Sequence, residues 1–208
     1  MKAILFFLTR EMRRGIISIS KDGGARMKKV ALLGDSIRQL GYGKRVPEML
    51  GEEYTVFQPK DNCRFAKYTL RGLFDWRREL EDCDVIHWNN GLWDICELFG
   101  DGPFTSEEEY VETMLRVARI LKGYTDRVIF ATTTPVRHGH EYNKNETIIR
   151  YNELIVPKLC EMGFVINDLH ALVYSNLDTY LLESDKIHLT DEGIEACAKQ
   201  VTECILKM

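Results

Sequence analysis

The chain has 208 residues, 45% of them hydrophobic and 29% charged, with a net charge of −4 at pH 7 and a pI of about 5.8. That length and balance fit one globular domain with a full core, and the acidic excess argues against a nucleic-acid or anionic-membrane partner. Six scattered cysteines (Cys63, Cys83, Cys96, Cys160, Cys197, Cys204), with no Cys-x-x-Cys pair and no Cys/His cluster, argue against a disulfide framework or a metal site and read as reduced thiols of a cytoplasmic protein.

Residues 1–26 stand apart. The apolar run Ala3–Leu8 is too short for a signal-peptide core or a membrane span, and Glu11, Arg13 and Arg14 follow it without a small-residue cleavage site. Gly23-Gly24 before Ala25-Arg26-Met27 fits a purine-rich stretch ahead of an ATG. The expectation is therefore a translated leader over 1–26 and a domain over 27–208. N-terminal sequencing of the native protein tests it, and a terminus at residue 1 or 2 contradicts it.

From Lys28 the pattern alternates strand and helix. Val30–Leu33 is an apolar run suited to a strand buried on both faces, and it ends in Gly34-Asp35-Ser36. A short helix is predicted over Gly43–Leu50, a strand over Tyr54–Pro59, a helix over Lys67–Leu80 and a third strand over Asp84–Trp88, running into Asn89-Asn90-Gly91. Ser106 and Glu109 form a capping box for a helix that Gly123 stops. A fourth strand over Arg127–Thr132 is followed by a polar loop to about Lys144. A helix over Glu146–Met162, with a kink at Pro157, leads to a fifth strand over Phe164–Asp168. A looser helical region precedes Asp185-Lys186-Ile187-His188, and an amphipathic helix over Asp191–Leu206 closes the chain. This alternation predicts a parallel sheet covered on both faces. Its carboxyl edge, where open α/β sheets bind ligands, carries Ser36.

Ser36 needs a base to become a nucleophile, and the base needs an orienting group. His87 lies within a strand and reads as a buried ring. His138 and His140 read as exposed loop residues, and His170 as a capping or packing residue. His188 differs because Asp185 stands three residues before it on one tight loop, where a carboxylate can hold Nδ1 and leave Nε2 outward. The same spacing also suits a solvated helix lead-in. Asn89 and Asn90 offer amide donors for an oxyanion, or simply end a strand.

Gly34-Asp35-Ser36, Asn62-Cys63-Arg64, Asn89-Asn90-Gly91-Leu92 and Asp185-Lys186-Ile187-His188-Leu189 follow the order and approximate spacing of four sequence blocks. In this the chain resembles the SGNH (GDSL-type) hydrolases, from Lys28 to its end. The resemblance implies a three-layer α/β/α sandwich, flavodoxin-like, around a five-stranded parallel sheet, and it implies hydrolysis of esters without a cofactor or metal. It makes Ser36 the nucleophile, His188 the base and Asp185 its orienting acid. It makes the oxyanion donors Ser36, Cys63 and Asn89, with Asn90 the alternative. Cys63 stands where the family has a glycine, and His87 replaces the glycine two before the asparagine. Trp88 is next to that asparagine, and its bulk is expected to shape a small acyl pocket. Asp35, Arg64, Trp88 and Trp93 are the candidates for substrate contact: Arg64 for a carboxylate or phosphate, Trp93 for stacking on a sugar. The expected activity is a serine esterase on small acyl, chiefly acetyl, esters of a small molecule such as a carbohydrate. The alternatives are an acyltransferase using the same acyl-enzyme, a lysophospholipase- or thioesterase-like lipid hydrolase, and a binding module without catalysis. A flavin or nucleotide site is disfavoured because no glycine-rich phosphate loop is present.

Overall fold

The computed structural model describes residues 26–208. The expected leader thus lies outside the described residues, apart from Arg26, whose guanidinium pairs with Asp84 at 2.6 Å. Five parallel strands form one sheet: β1 (Lys28–Leu33), β2 (Tyr54–Phe57), β3 (Val85–Trp88), β4 (Val128–Ala131) and β5 (Val165–Asn167), in the order β2-β1-β3-β4-β5. Every residue of β3 and β4 is buried, as the apolar runs require of central strands with both faces covered. The edge strand β2 is half exposed.

One helical layer holds α1 (Val46–Leu50), α6 (Leu169–Tyr174), α7 (Leu177–Tyr180) and α8 (Asp191–Leu206), in mutual contact through α8. The other holds α2 (Ala66–Asp75), α4 (Glu107–Tyr124) and α5 (Asn145–Glu161) side by side. Ser106 Oγ accepts from the Glu109 N–H at the start of α4, and Thr190 Oγ1 from the Gly193 N–H at the start of α8, so both helices start on side-chain caps. Ala198, Val201 and Ile205 of α8 are buried in the core together with Cys197.

Several boundaries differ from the sequence pattern: α4 runs one residue past Gly123, expected to stop it, and β2 ends at Phe57 rather than Pro59. The expected helix over Lys67–Leu80 breaks at Trp76, leaving α3 (Arg77–Leu80) as a separate turn. The Trp76 ring folds back over Gly72, where a Cβ would stand 2.3 Å from it. After β1 the chain coils at once, as a π-helix over Ile37–Gly41 and a 3-10 turn over Tyr42–Lys44, well before the helix expected from Gly43. Buried Ile37, Arg38 and Tyr42 draw this segment inward against the sheet. In register, Leu33 pairs with Trp88, so Gly34–Ser36 leaves the sheet beside Asn89–Gly91.

Among the described residues no helix is long and apolar enough to cross a membrane, and no group of His, Cys, Asp and Glu is placed to hold a metal ion.

Candidate active site

Ser36 sits at the junction of β1 and the π-helix, half-buried, with αR backbone angles. The turn before it depends on Gly34: a Cβ there would lie 1.9 Å from Asn89 Oδ1. Across the sheet edge, Ser36 Oγ lies 2.9 Å from His188 Nε2, although 152 residues separate them in the chain. His188 Nδ1 lies 2.9 Å from Asp185 Oδ2. The other carboxylate oxygen, Oδ1, accepts the backbone N–H groups of Ile187 and His188 at 3.1 and 3.0 Å. Lys186, between them, takes a left-handed φ of 62°, which lets so tight a loop close. Burial works to raise the Asp185 pKa. The two N–H groups and the imidazole outweigh it and hold the carboxyl below its ordinary value. The loop is anchored from outside as well. The Arg137 N–H donates to the Lys186 carbonyl at 2.8 Å, and the Arg137 guanidinium binds the Leu181 carbonyl and the carboxylates of Asp178 and Glu183.

The opposite flank of Ser36 is formed by the loops after β2 and β3. Asn89 is 4% exposed, and its Oδ1 accepts from the Tyr42 hydroxyl at 3.1 Å. With Oδ1 taking that hydroxyl, Nδ2 is the end of the amide left to donate elsewhere. Nδ2 approaches Asp35, but Asp35 Oδ2 has no bond of good geometry and Oδ1 accepts from the Ile37 N–H at 3.0 Å. Burial pushes the Asp35 pKa up. The Asn89 amide, the Ile37 N–H and Arg38 offset this in part. The Ser36 N–H has no acceptor among the described residues.

Four sequence expectations are corrected here. The Cys63 N–H is not an oxyanion donor: Cys63 is fully buried, and this N–H donates to the Gly34 carbonyl at 3.1 Å while Sγ accepts from the Gly34 N–H. The pair continues the β1–β2 contact past the strand ends and leaves nothing for a ligand. Asn90 is not the alternative donor. Its Oδ1 accepts from Trp88 Nε1 and Thr69 Oγ1, and its Nδ2 donates to the Arg64 carbonyl, all within the interior. Trp88 is fully buried against Phe130 and Phe164, so it shapes no acyl pocket. Asp35 is fully buried, so it presents no surface to a substrate. Arg64 and Trp93 are exposed at the rim, with the Arg64 guanidinium 5.9 Å from the Trp93 ring centre.

Tyr42 and Arg38 belong to the site's framework and were not among the sequence candidates. Arg38 is 2% exposed and its guanidinium donates to the carbonyls of Gly34, Pro59 and Asp61, tying the Ser36 turn to the loop after β2. Nothing in the sequence marks an arginine two positions after Ser36 as buried. Below the site, burial pushes the His87 pKa down to about 3, so the ring is neutral. Its Nε2 accepts from Asn167 Nδ2 at 3.2 Å, and its Nδ1 has no partner among the described residues. The expected buried ring is thus hydrogen-bonded at one nitrogen. His140 Nδ1 accepts two backbone N–H groups of its own loop, from Tyr142 and Asn143.

No family model matches the chain, and no curated protein matches it in sequence. Its structure is similar to solved ones. An acetyl xylan esterase superposes with a TM-score of 0.71 at 20% identity, covering 85% of this chain and 99% of that one. A lipase/acylhydrolase from Enterococcus faecalis gives 0.70 at 18% identity, covering 86% and 95%. A member of the lipolytic protein G-D-S-L family from Veillonella parvula gives 0.69 at 15% identity, covering 87% and 100%. The four-block resemblance and the architecture agree: the chain has the fold of the GDSL-type, or SGNH, hydrolases.

Proposed function

We propose that the chain is a serine esterase acting on small acyl esters, chiefly acetyl esters of a small molecule such as a carbohydrate. The observation that carries this reading is the 2.9 Å contact between Ser36 Oγ and His188 Nε2, with Asp185 Oδ2 at 2.9 Å from the other ring nitrogen. Neutral His188 takes the hydroxyl proton as Ser36 Oγ attacks the ester carbonyl. Asp185 fixes the tautomer, because its carboxylate accepts the Nδ1 proton, and it stabilises the imidazolium that forms. The tetrahedral oxyanion is taken by the Ser36 N–H and the Nδ2 group of the Asn89 amide. His188 then gives its proton to the leaving alcohol, the acyl group stays on Ser36, and water activated by His188 releases it as the acid.

The similarity to an acetyl xylan esterase and a lipase/acylhydrolase supports the ester-hydrolase class. The preference for a short acyl group is tested with p-nitrophenyl acetate, butyrate, octanoate and palmitate. The expected order of kcat/KM falls from acetate to palmitate. An order that rises with chain length makes the chain a lipid hydrolase, and no turnover of any ester removes the proposed function.

A further inference from the structure

We propose that Arg64 selects for substrates that carry a carboxylate near the scissile ester. This rests on the esterase reading and names the substrate class for that site. The argument begins with strand order. β2 and β3 flank β1, so the loops that follow them leave the sheet on either side of Gly34–Ser36. Arg64 is on the loop after β2 and Trp93 on the loop after β3. Their contact at 5.9 Å therefore spans the carboxyl end of β1, the strand that leads into Ser36. The Tyr68 ring holds the same guanidinium at 5.0 Å.

Arg64 is built into this place. Its φ of 48° is left-handed, a conformation that side-chain-bearing residues rarely adopt. Two side chains hold it there: Asn62 Oδ1 accepts the Arg64 N–H at 2.7 Å, and Asn90 Nδ2 donates to the Arg64 carbonyl at 2.7 Å. The flanking loops are clamped together by Asp94, whose buried carboxylate accepts from the Ala66 N–H and from Thr105 Oγ1. A solvated surface arginine needs none of these.

The charge is also uncompensated. Among the described residues Arg64 has no ion pair, and several carboxylates of the surrounding loops are already engaged. Asp35 is buried, Asp94 caps α2, Asp185 holds His188, Glu109 pairs with Lys67 and Glu97 with Lys144. Ring contacts of this kind use none of a guanidinium's N–H groups as hydrogen-bond donors to charged partners, and its N–H fork matches a carboxylate. The Arg64 side chain thus offers, at the carboxyl edge of the sheet that carries Ser36, a held guanidinium with no ion pair among the described residues.

The carboxylate can belong to the acyl group or to the alcohol, and matched ester pairs separate the two. The first pair is p-nitrophenyl hemisuccinate against p-nitrophenyl butyrate. The second is an O-acetylated methyl glucuronoside against the corresponding O-acetylated methyl glucoside. The reading is the ratio of kcat/KM, charged over neutral, in the full-length protein. At least one pair is expected to give a ratio of about ten, the scale of one charge-assisted hydrogen bond. Arg64→Gln should bring that ratio to about one and Arg64→Glu below one, with Arg64→Lys intermediate. Added salt should shrink it, as screening of an exposed cation requires. Because each ratio is taken within one variant, a partly unfolded preparation does not imitate the result. Ratios of one or less for both pairs in the parent, or an unchanged ratio in Arg64→Gln, overturn the proposal while leaving the esterase reading intact. Failure of the parent on all four esters removes both.

Discussion

On one side of Ser36, His188 is held by a carboxylate three residues away in its own loop. On the other side, Asn89 is held by a tyrosine 47 residues away and lies over a glycine that has no room for a side chain. The first arrangement is local: Asp185 orients the ring with one oxygen and organises the turn with the other. The second is tertiary. It needs the π-helix that delivers Tyr42, the bare Gly34, and the Arg38 guanidinium that ties the loop after β2 to the Ser36 turn. The proposed base is thus oriented within one loop, whereas the proposed oxyanion donor is oriented by the whole edge of the sheet.

Substitutions on the tertiary side can break this comparison, beginning with the largest effect. Asn89→Ala should lower kcat by about 10²–10³, the loss measured when an oxyanion donor is removed, with KM little changed. Its neighbour should behave oppositely. Asn90→Ala leaves Trp88 Nε1 and the Arg64 carbonyl without partners, so thermal unfolding should move to lower temperature by an amount corresponding to about 1–3 kcal/mol. If Asn90→Ala is as stable as the parent and Asn89→Ala is fully active, the two assignments are exchanged. A smaller effect is expected for Tyr42→Phe, which frees the amide of Asn89 to turn. The loss of one hydrogen bond of about 1 kcal/mol corresponds to a fall in kcat of roughly fivefold, again without a change in KM. A fall in KM-dependent affinity with kcat preserved contradicts a positioning role.

The smallest effect concerns pH. Burial pushes the Asp94 pKa up to about 7, against the pull of the Ala66 N–H and Thr105. A raised folded-state pKa gives stability that is complete below the unfolded value and is lost as pH rises through the folded one. The window therefore runs from the ordinary value of 3.8 to about 7. The difference in Tm between the parent and Asp94→Asn should shift in favour of the variant across that window and stay constant above it. A pH-independent difference contradicts the buried, protonatable Asp94.

The same contrast explains what was legible in the sequence. The strands were, because Val30–Leu33, Val85–Trp88 and Val128–Ala131 are apolar runs buried on both faces. The Asp185–His188 pair was, because its geometry is written in a three-residue spacing. The loop after β2 was misread at Cys63, since which N–H points at a ligand depends on hydrogen bonds to Gly34 that no local pattern reveals. Trp88 and Asp35 were misread for a related reason. A residue beside a candidate nucleophile or donor faces the core or the solvent according to the register of neighbouring strands. Tyr42 was hidden by the π-helix, which adds a residue to the turn and so changes which side chain arrives beneath the sheet edge.

The most direct measurement of the central assignment is covalent labelling. The full-length protein is treated with a small serine-reactive alkyl phosphonate, and the modified peptide is located by mass spectrometry while p-nitrophenyl acetate turnover is followed. A single adduct on Ser36 that forms in step with the loss of activity, and that is absent from Ser36→Ala, is the predicted result. Full labelling of Ser36→Ala, or unchanged turnover by that variant, contradicts the assignment of Ser36 as the nucleophile.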